Sequence, residues 1–126
     1  MSKKIISTSN APAAIGPYSQ AVLAGNTLYC SGQIALNPAT GELVMDSIAA
    51  ETEQVMTNVA AVLKAADMDF THVVKCSIFM SSMEHYAAIN TVYAKYFSSA
   101  PPAREAVAVK TLPKEVNVEI TVVAVR

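Results

Sequence analysis

The sequence predicts an α+β fold: a mixed sheet with both helices packed on one face. Two observations carry this. Stretches that alternate apolar and polar residues, as strands do, are interrupted twice by stretches whose apolar residues recur at spacings of three and four, as on one side of a helix. The resulting order, β-β-α-β-α-β-β, sets strands that follow one another directly beside strands joined through a helix, which is an α+β pattern. No linker, repeat or low-complexity tract divides the 126 residues, so residues 1–126 read as a single domain.

The elements follow in order. Tyr18 to Ala24 and Thr27 to Ala35 are strand-like, and Gly25-Asn26 between them suits a two-residue hairpin turn because both residues tolerate positive φ. Asn37 to Gly41 is a turn cluster, followed by a short extended piece at Glu42 to Val44. Ile48, Thr52, Val55, Val59, Val62, Leu63 and Ala66 then share one helix face, with Asp46 or Ser47 as cap. Glu51, Gln54, Asn58 and Lys64 fall on the other face. His72 to Met80 is a strand with Val74, Cys76, Ile78 and Met80 on its apolar side. Ser81 and Glu84 match a capping box for a second helix, whose buried stripe is Tyr86, Ile89, Tyr93 and Tyr96 or Phe97. Ser98 to Pro102 ends it, since proline cannot continue a helix. Arg104 to Val109 and Asn117 to Val125 are the last two strands, joined through Leu112 to Glu115.

Composition adds a constraint on assembly. Apolar residues make up 52% and charged residues only 15%, against about 25% charged in ordinary soluble domains. A sheet with both helices on one side also leaves its other side bare. Both features predict that further copies of the chain cover apolar surface. Net charge is −1 and no basic run exists beyond Lys3-Lys4, at an end expected to be mobile. That weighs against nucleic acid, whose binding depends on several lysine or arginine contacts to phosphate. No segment has transmembrane length and the N-terminus lacks the apolar run of a signal peptide, so a cytoplasmic protein is expected. Cys30 and Cys76 read as buried thiols.

The chemistry available is narrow. His72 and His85 lie on different elements without metal-ligand spacing, the four glycines are scattered, and no serine-histidine-acid set stands out. Any catalysis is therefore expected to use polar side chains and water, with no metal or cofactor. Arg104, behind Pro101-Pro102-Ala103, offers a permanent charge and a planar fork that matches a carboxylate; pairing with a surface acid is the alternative. Glu119 is a carboxylate on a strand that is otherwise largely apolar, facing either water or a polar site where it can handle a proton. Tyr18, after Gly16-Pro17, offers an aromatic wall with a hydroxyl or is simply packed. Ser31 and Gly32 interrupt an apolar strand, where glycine permits close approach or a bulge.

Taken together, Gly16-Pro17-Tyr18-Ser19-Gln20-Ala21, Ser31-Gly32-Gln33-Ile34, Asn58 with Val62 to Ala66, Asn90 with Val92-Tyr93, Pro102-Ala103-Arg104, Leu112-Pro113 and Val118-Glu119-Ile120 resemble, nearly end to end, the RidA/YjgF family, also labelled endoribonuclease L-PSP or translation inhibitor. The resemblance implies a fold similar to the bacillus type of chorismate mutase, a homotrimer with a central barrel, and clefts between subunits. It implies hydrolysis of 2-iminobutanoate and 2-iminopropanoate to 2-keto acids and ammonia. Residue by residue, it implies that Arg104 holds the substrate carboxylate, that Glu119 positions or activates water, and that Tyr18, Ser31, Gly32 and Asn90 line the cleft. Ala106 stands where many members have cysteine, a position used through its backbone carbonyl. Glu105 departs from the usual small residue, and strand alternation turns it away from Arg104. The rival readings are a carboxylate-binding module without turnover and a ribonuclease or translation inhibitor.

Overall fold

The computed structural model describes residues 2–126. Its sheet has six strands: β1 (Lys3–Ile6), β2 (Ala21–Ala24), β3 (Thr27–Cys30), β4 (Val73–Met80), β5 (Ala103–Ala108) and β6 (Val118–Val125). The helices are α1 (Ile48–Ala65), between β3 and β4, and α2 (Tyr86–Ala94), between β4 and β5. The strand order is β1-β2-β3-β6-β4-β5, and every pair is antiparallel except β4 with β5.

This topology explains why the helices share a face. β3, β4 and β5 all run the same way, and each crossover between them steps in the same direction across the sheet. Right-handed crossovers then put α1 and α2 on the same side. β6 inserts between β3 and β4, and its Val118, Ile120, Val122 and Ala124 are buried beneath the helices. Leu28, Cys76, Ile78 and Met80 from the flanking strands complete that side, against Val55, Met56, Val59, Val62 and Leu63 of α1 and Ile89 of α2.

Several expectations need correction. The N-terminus is an edge strand, not a mobile end: Lys3 to Ile6 pairs with β2, and Ile6 is buried in the core. The β2–β3 hairpin turns at Gly25, with φ +61°, as expected, but its ladder begins at Ala21 rather than Tyr18. The second strand breaks after Cys30 and rejoins the sheet through the Gln33–Ile120 bridge. Ser47, rather than Asp46, caps α1 by accepting from the Ala50 N–H at 3.0 Å. The box at Ser81 does not form. Ser82 Oγ accepts from the Glu84 N–H instead, while Ser81 Oγ donates to Asn117 Oδ1 at 2.8 Å.

The polar face assigned to α1 is only partly solvated. Glu51 and Asn58 are fully buried. Asn58 Nδ2 donates to the Ile34 and Leu36 carbonyls, each at 2.9 Å. The Glu51 carboxylate accepts from the Asn117 N–H at 2.8 Å, Asn117 Nδ2 at 3.0 Å and the Val118 N–H at 3.2 Å. Both cysteines are buried and free.

Candidate active site

Strand alternation divides the candidate residues between the two faces of the sheet. Arg104 lies opposite Cys76, in line with Val122, so it is on the helix side. Ala106, opposite Ile78, shares that side. Glu119 lies in a row with Phe79 and Val107 on the bare side. Within one chain the arginine and the glutamate therefore look in opposite directions.

On the helix side, Arg104 meets three residues of α2 at spacings of four and three, which share a helix face. Its Nη1 donates to Asn90 Oδ1 and its Nη2 to the Tyr86 hydroxyl, both at 2.7 Å. The guanidinium carbon lies 5.6 Å from the Tyr86 ring centre and 5.0 Å from that of Tyr93. All these partners are neutral. Among the described residues no carboxylate forms an ion pair with Arg104. Of the guanidinium's five N–H donors, three have no partner among the described residues. A pocket of about 340 Å³ adjoins it, with Tyr93, Phe97, Pro101 and Pro102 in its wall.

Glu105 does not cancel this charge. It faces the bare side of the sheet, where Lys75 Nζ approaches it at 2.8 Å and Ser77 Oγ donates to it. The Lys75 and Ser77 hydrogen bonds hold its carboxyl below the usual carboxylate range.

The second cluster surrounds Glu119, which is half-buried. Among the described residues no donor bonds its carboxylate, and burial pushes its pKa above the ordinary 4.5. Gly32 makes room for it. A Cβ at position 32 would lie 2.8 Å from Glu119 Cδ and 2.9 Å from Oε2, so a side chain there would push the Glu119 carboxyl aside. Ser31 Oγ donates to the Ser19 carbonyl at 2.6 Å, tying this strand break to the segment that carries Tyr18. Gln20, buried, fastens the same segment: Oε1 accepts from the Thr8 N–H at 2.7 Å and Nε2 donates to the Pro12 carbonyl at 2.8 Å. Tyr18 is 52% exposed and stands beside a pocket of about 370 Å³ that Ile15, Ser31, Gly32, Lys114 and Glu119 also line.

Sequence reasoning missed Tyr86 as a partner of Arg104, Gln20 as the fastener of the Tyr18 segment, and Lys114. Tyr86 and Arg104 are a helix and a strand apart, so no local pattern joins them. Lys114 had no signal at all: it sits in a turn with φ +56°, which a side-chain-bearing residue rarely adopts.

Residues 8–126 match the family model described as endoribonuclease L-PSP. The chain belongs to this family, the RidA/YjgF proteins. A bovine relative named 2-iminobutanoate/2-iminopropanoate deaminase is 50% identical over 124 residues, covering 98% of this chain and 90% of that protein. The crystal structure of the YjgF gene product of Escherichia coli superposes with a TM-score of 0.93 at 44% identity and 98% coverage of each chain. The crystal structure of E. coli TdcF with bound serine does so with a TM-score of 0.93 at 39% identity, again covering 98% of each chain.

Proposed function

We propose that this protein hydrolyses the reactive enamine and imine intermediates 2-iminobutanoate and 2-iminopropanoate to 2-keto acids and ammonia, in clefts built by two copies of the chain. The observation that carries the reading is the split just described: a cation without an acid on one face, and a carboxylate without a donor on the other. Arg104, Asn90 and Ala106 of one copy would meet Tyr18, Ser31, Gly32 and Glu119 of the next. The bare sheet face supports such an assembly, since Ile5, Tyr29 and Val107 stand exposed on it. The assembly proposed is a homotrimer of single-domain chains, its sheets forming a barrel as in the bacillus type of chorismate mutase. A cytoplasmic location suits this reading, and no described helix is long and apolar enough to cross a membrane.

Arg104 binds the substrate carboxylate through its free N–H groups and fixes the imine carbon in place. β5 is the last strand of the sheet, so among the described residues the outward peptide groups along it, near Ala106, have no strand partner and can bond the imine nitrogen. Glu119 takes a proton from water as the oxygen adds to the C=N carbon. It passes that proton to the nitrogen, giving the carbinolamine, and then carries the carbinolamine's hydroxyl proton to the same nitrogen as the C–N bond breaks and the C=O forms, so that ammonia leaves. An enamine first tautomerises to the imine by gaining a proton on carbon and losing one from nitrogen. No cofactor is invoked. The bovine relative's name and the serine bound to TdcF agree with a small substrate bearing a carboxylate.

RNA is not the proposed substrate, despite the family's description. The net charge is −1, and the two histidines lie on separate turns.

The test measures keto acid and ammonia released from an imine generated in situ. A charge-assisted hydrogen bond contributes about 1.5–3 kcal/mol, so Arg104→Ala should lose roughly ten- to a hundredfold at low substrate. Wild-type rates in that variant would remove the anchor role. Tight binding of a 2-keto acid with no release of ammonia by the unmodified protein would favour a binding module.

A further inference from the structure

We propose that Tyr86 is a positioning residue for the carboxylate anchor, an inference that rests on Arg104 having that role. The guanidinium is gripped at both ends of its fork, by Asn90 at Nη1 and by the Tyr86 hydroxyl at Nη2, each at 2.7 Å. With both ends held, the plane of the fork cannot swing about the side chain's last bonds. With one end released it can, and an anion docking on it loses its second parallel hydrogen bond in part of the population.

Tyr86 suits this task for three reasons. It is the first residue of α2, and its backbone N–H donates to the Met83 carbonyl of the preceding turn, which fixes its backbone. The Tyr86 ring also faces the cation at 5.6 Å, so ring and hydroxyl constrain Arg104 in different ways. Finally, the hydroxyl oxygen is neutral. It satisfies an N–H without cancelling the charge that the substrate needs, as a carboxylate there would.

The substitution Tyr86→Phe isolates the hydroxyl, because the ring and its packing stay. Its KM for the in-situ imine should rise about three- to tenfold while kcat stays within about twofold. The same change made on Arg104→Ala should leave kcat/KM unaltered, because there is no fork left to hold. Thermal unfolding of Tyr86→Phe should match the unmodified protein. An unchanged or lowered KM in the single variant overturns the proposal. So does an equal loss in both backgrounds, which would mark a role in folding alone. Wild-type behaviour of Arg104→Ala is a separate result: it overturns the anchor reading itself and this inference with it.

Discussion

Gly32 illustrates how one residue's identity is set from a distance. Its φ is outside the left-handed region, so the turn-forming freedom of glycine is not what the position requires. What glycine keeps is the present placement of Glu119, whose carboxyl reaches over from β6 across the site a Cβ would occupy. An interrupted apolar strand was visible in the sequence, but close approach and a bulge could not be separated there, because the approaching group is 87 positions away by the numbering of the two residues. Glu119 itself was legible as a lone carboxylate among apolar neighbours. Its direction off the sheet followed from alternation, and its burial did not. That burial yields a prediction. A base must be ionised to act, and burial raises the pH at which Glu119 ionises above 4.5. Burial alone moves the acid limb of kcat to a higher pH than for a free carboxylate, and the neighbouring copy's Arg104 in the proposed cleft works in the opposite direction. Glu119→Gln should flatten the limb and lower kcat by about 10²- to 10⁴-fold. A limb that persists in this variant would assign it to another group.

At the scale of elements, the periodicities placed both helices and most strands, since apolar spacing reports which side of an element is covered. They erred where a polar side chain is covered too. Glu51 and Asn58 lie off the apolar stripe of α1, and spacing alone does not show that they are covered. Both instead satisfy backbone groups of strands and loops that cross the helix. Glu51 is the junction between α1 and the start of β6, at Asn117 and Val118, immediately before Glu119. Three N–H donors converge on it, and each left bare in the interior costs about 1–3 kcal/mol. Glu51→Ala is expected to destabilise the fold by at least about 3 kcal/mol in urea unfolding at fixed protein concentration. The exposed Glu42→Ala should stay within about 0.5 kcal/mol of the unmodified protein. A loss below about 1 kcal/mol for Glu51→Ala would mean that water replaces the carboxylate at this junction.

For the whole molecule, the bare face of the sheet is the decisive surface. Tyr29 is 54% and Val107 43% exposed, and Ile5 and Tyr29 lie on one cross-strand row of that face through Val22. In the proposed trimer these residues are covered and the two half-sites meet. Light scattering should then give three times the 13.3 kDa chain mass. Tyr29→Asp combined with Val107→Asp should shift the mass toward a single chain, because charges buried between copies are costly. Activity should fall with the trimer although Arg104 and Glu119 are untouched. A fully active single chain would contradict a shared cleft.

The amino-acid order alone determined the α+β class and the presence and order of both helices, and it singled out Arg104 and Glu119, the two charges on which the proposed function rests. Each of these depends on local spacing or on residue type, which a linear chain displays directly. The three-dimensional arrangement decided which face each charge occupies, that Tyr86 and Asn90 grip the arginine, and that Glu51 holds the strand before Glu119. Those facts depend on strand register and on contacts between residues far apart in the chain, and packing energy, rather than any local pattern, selects them.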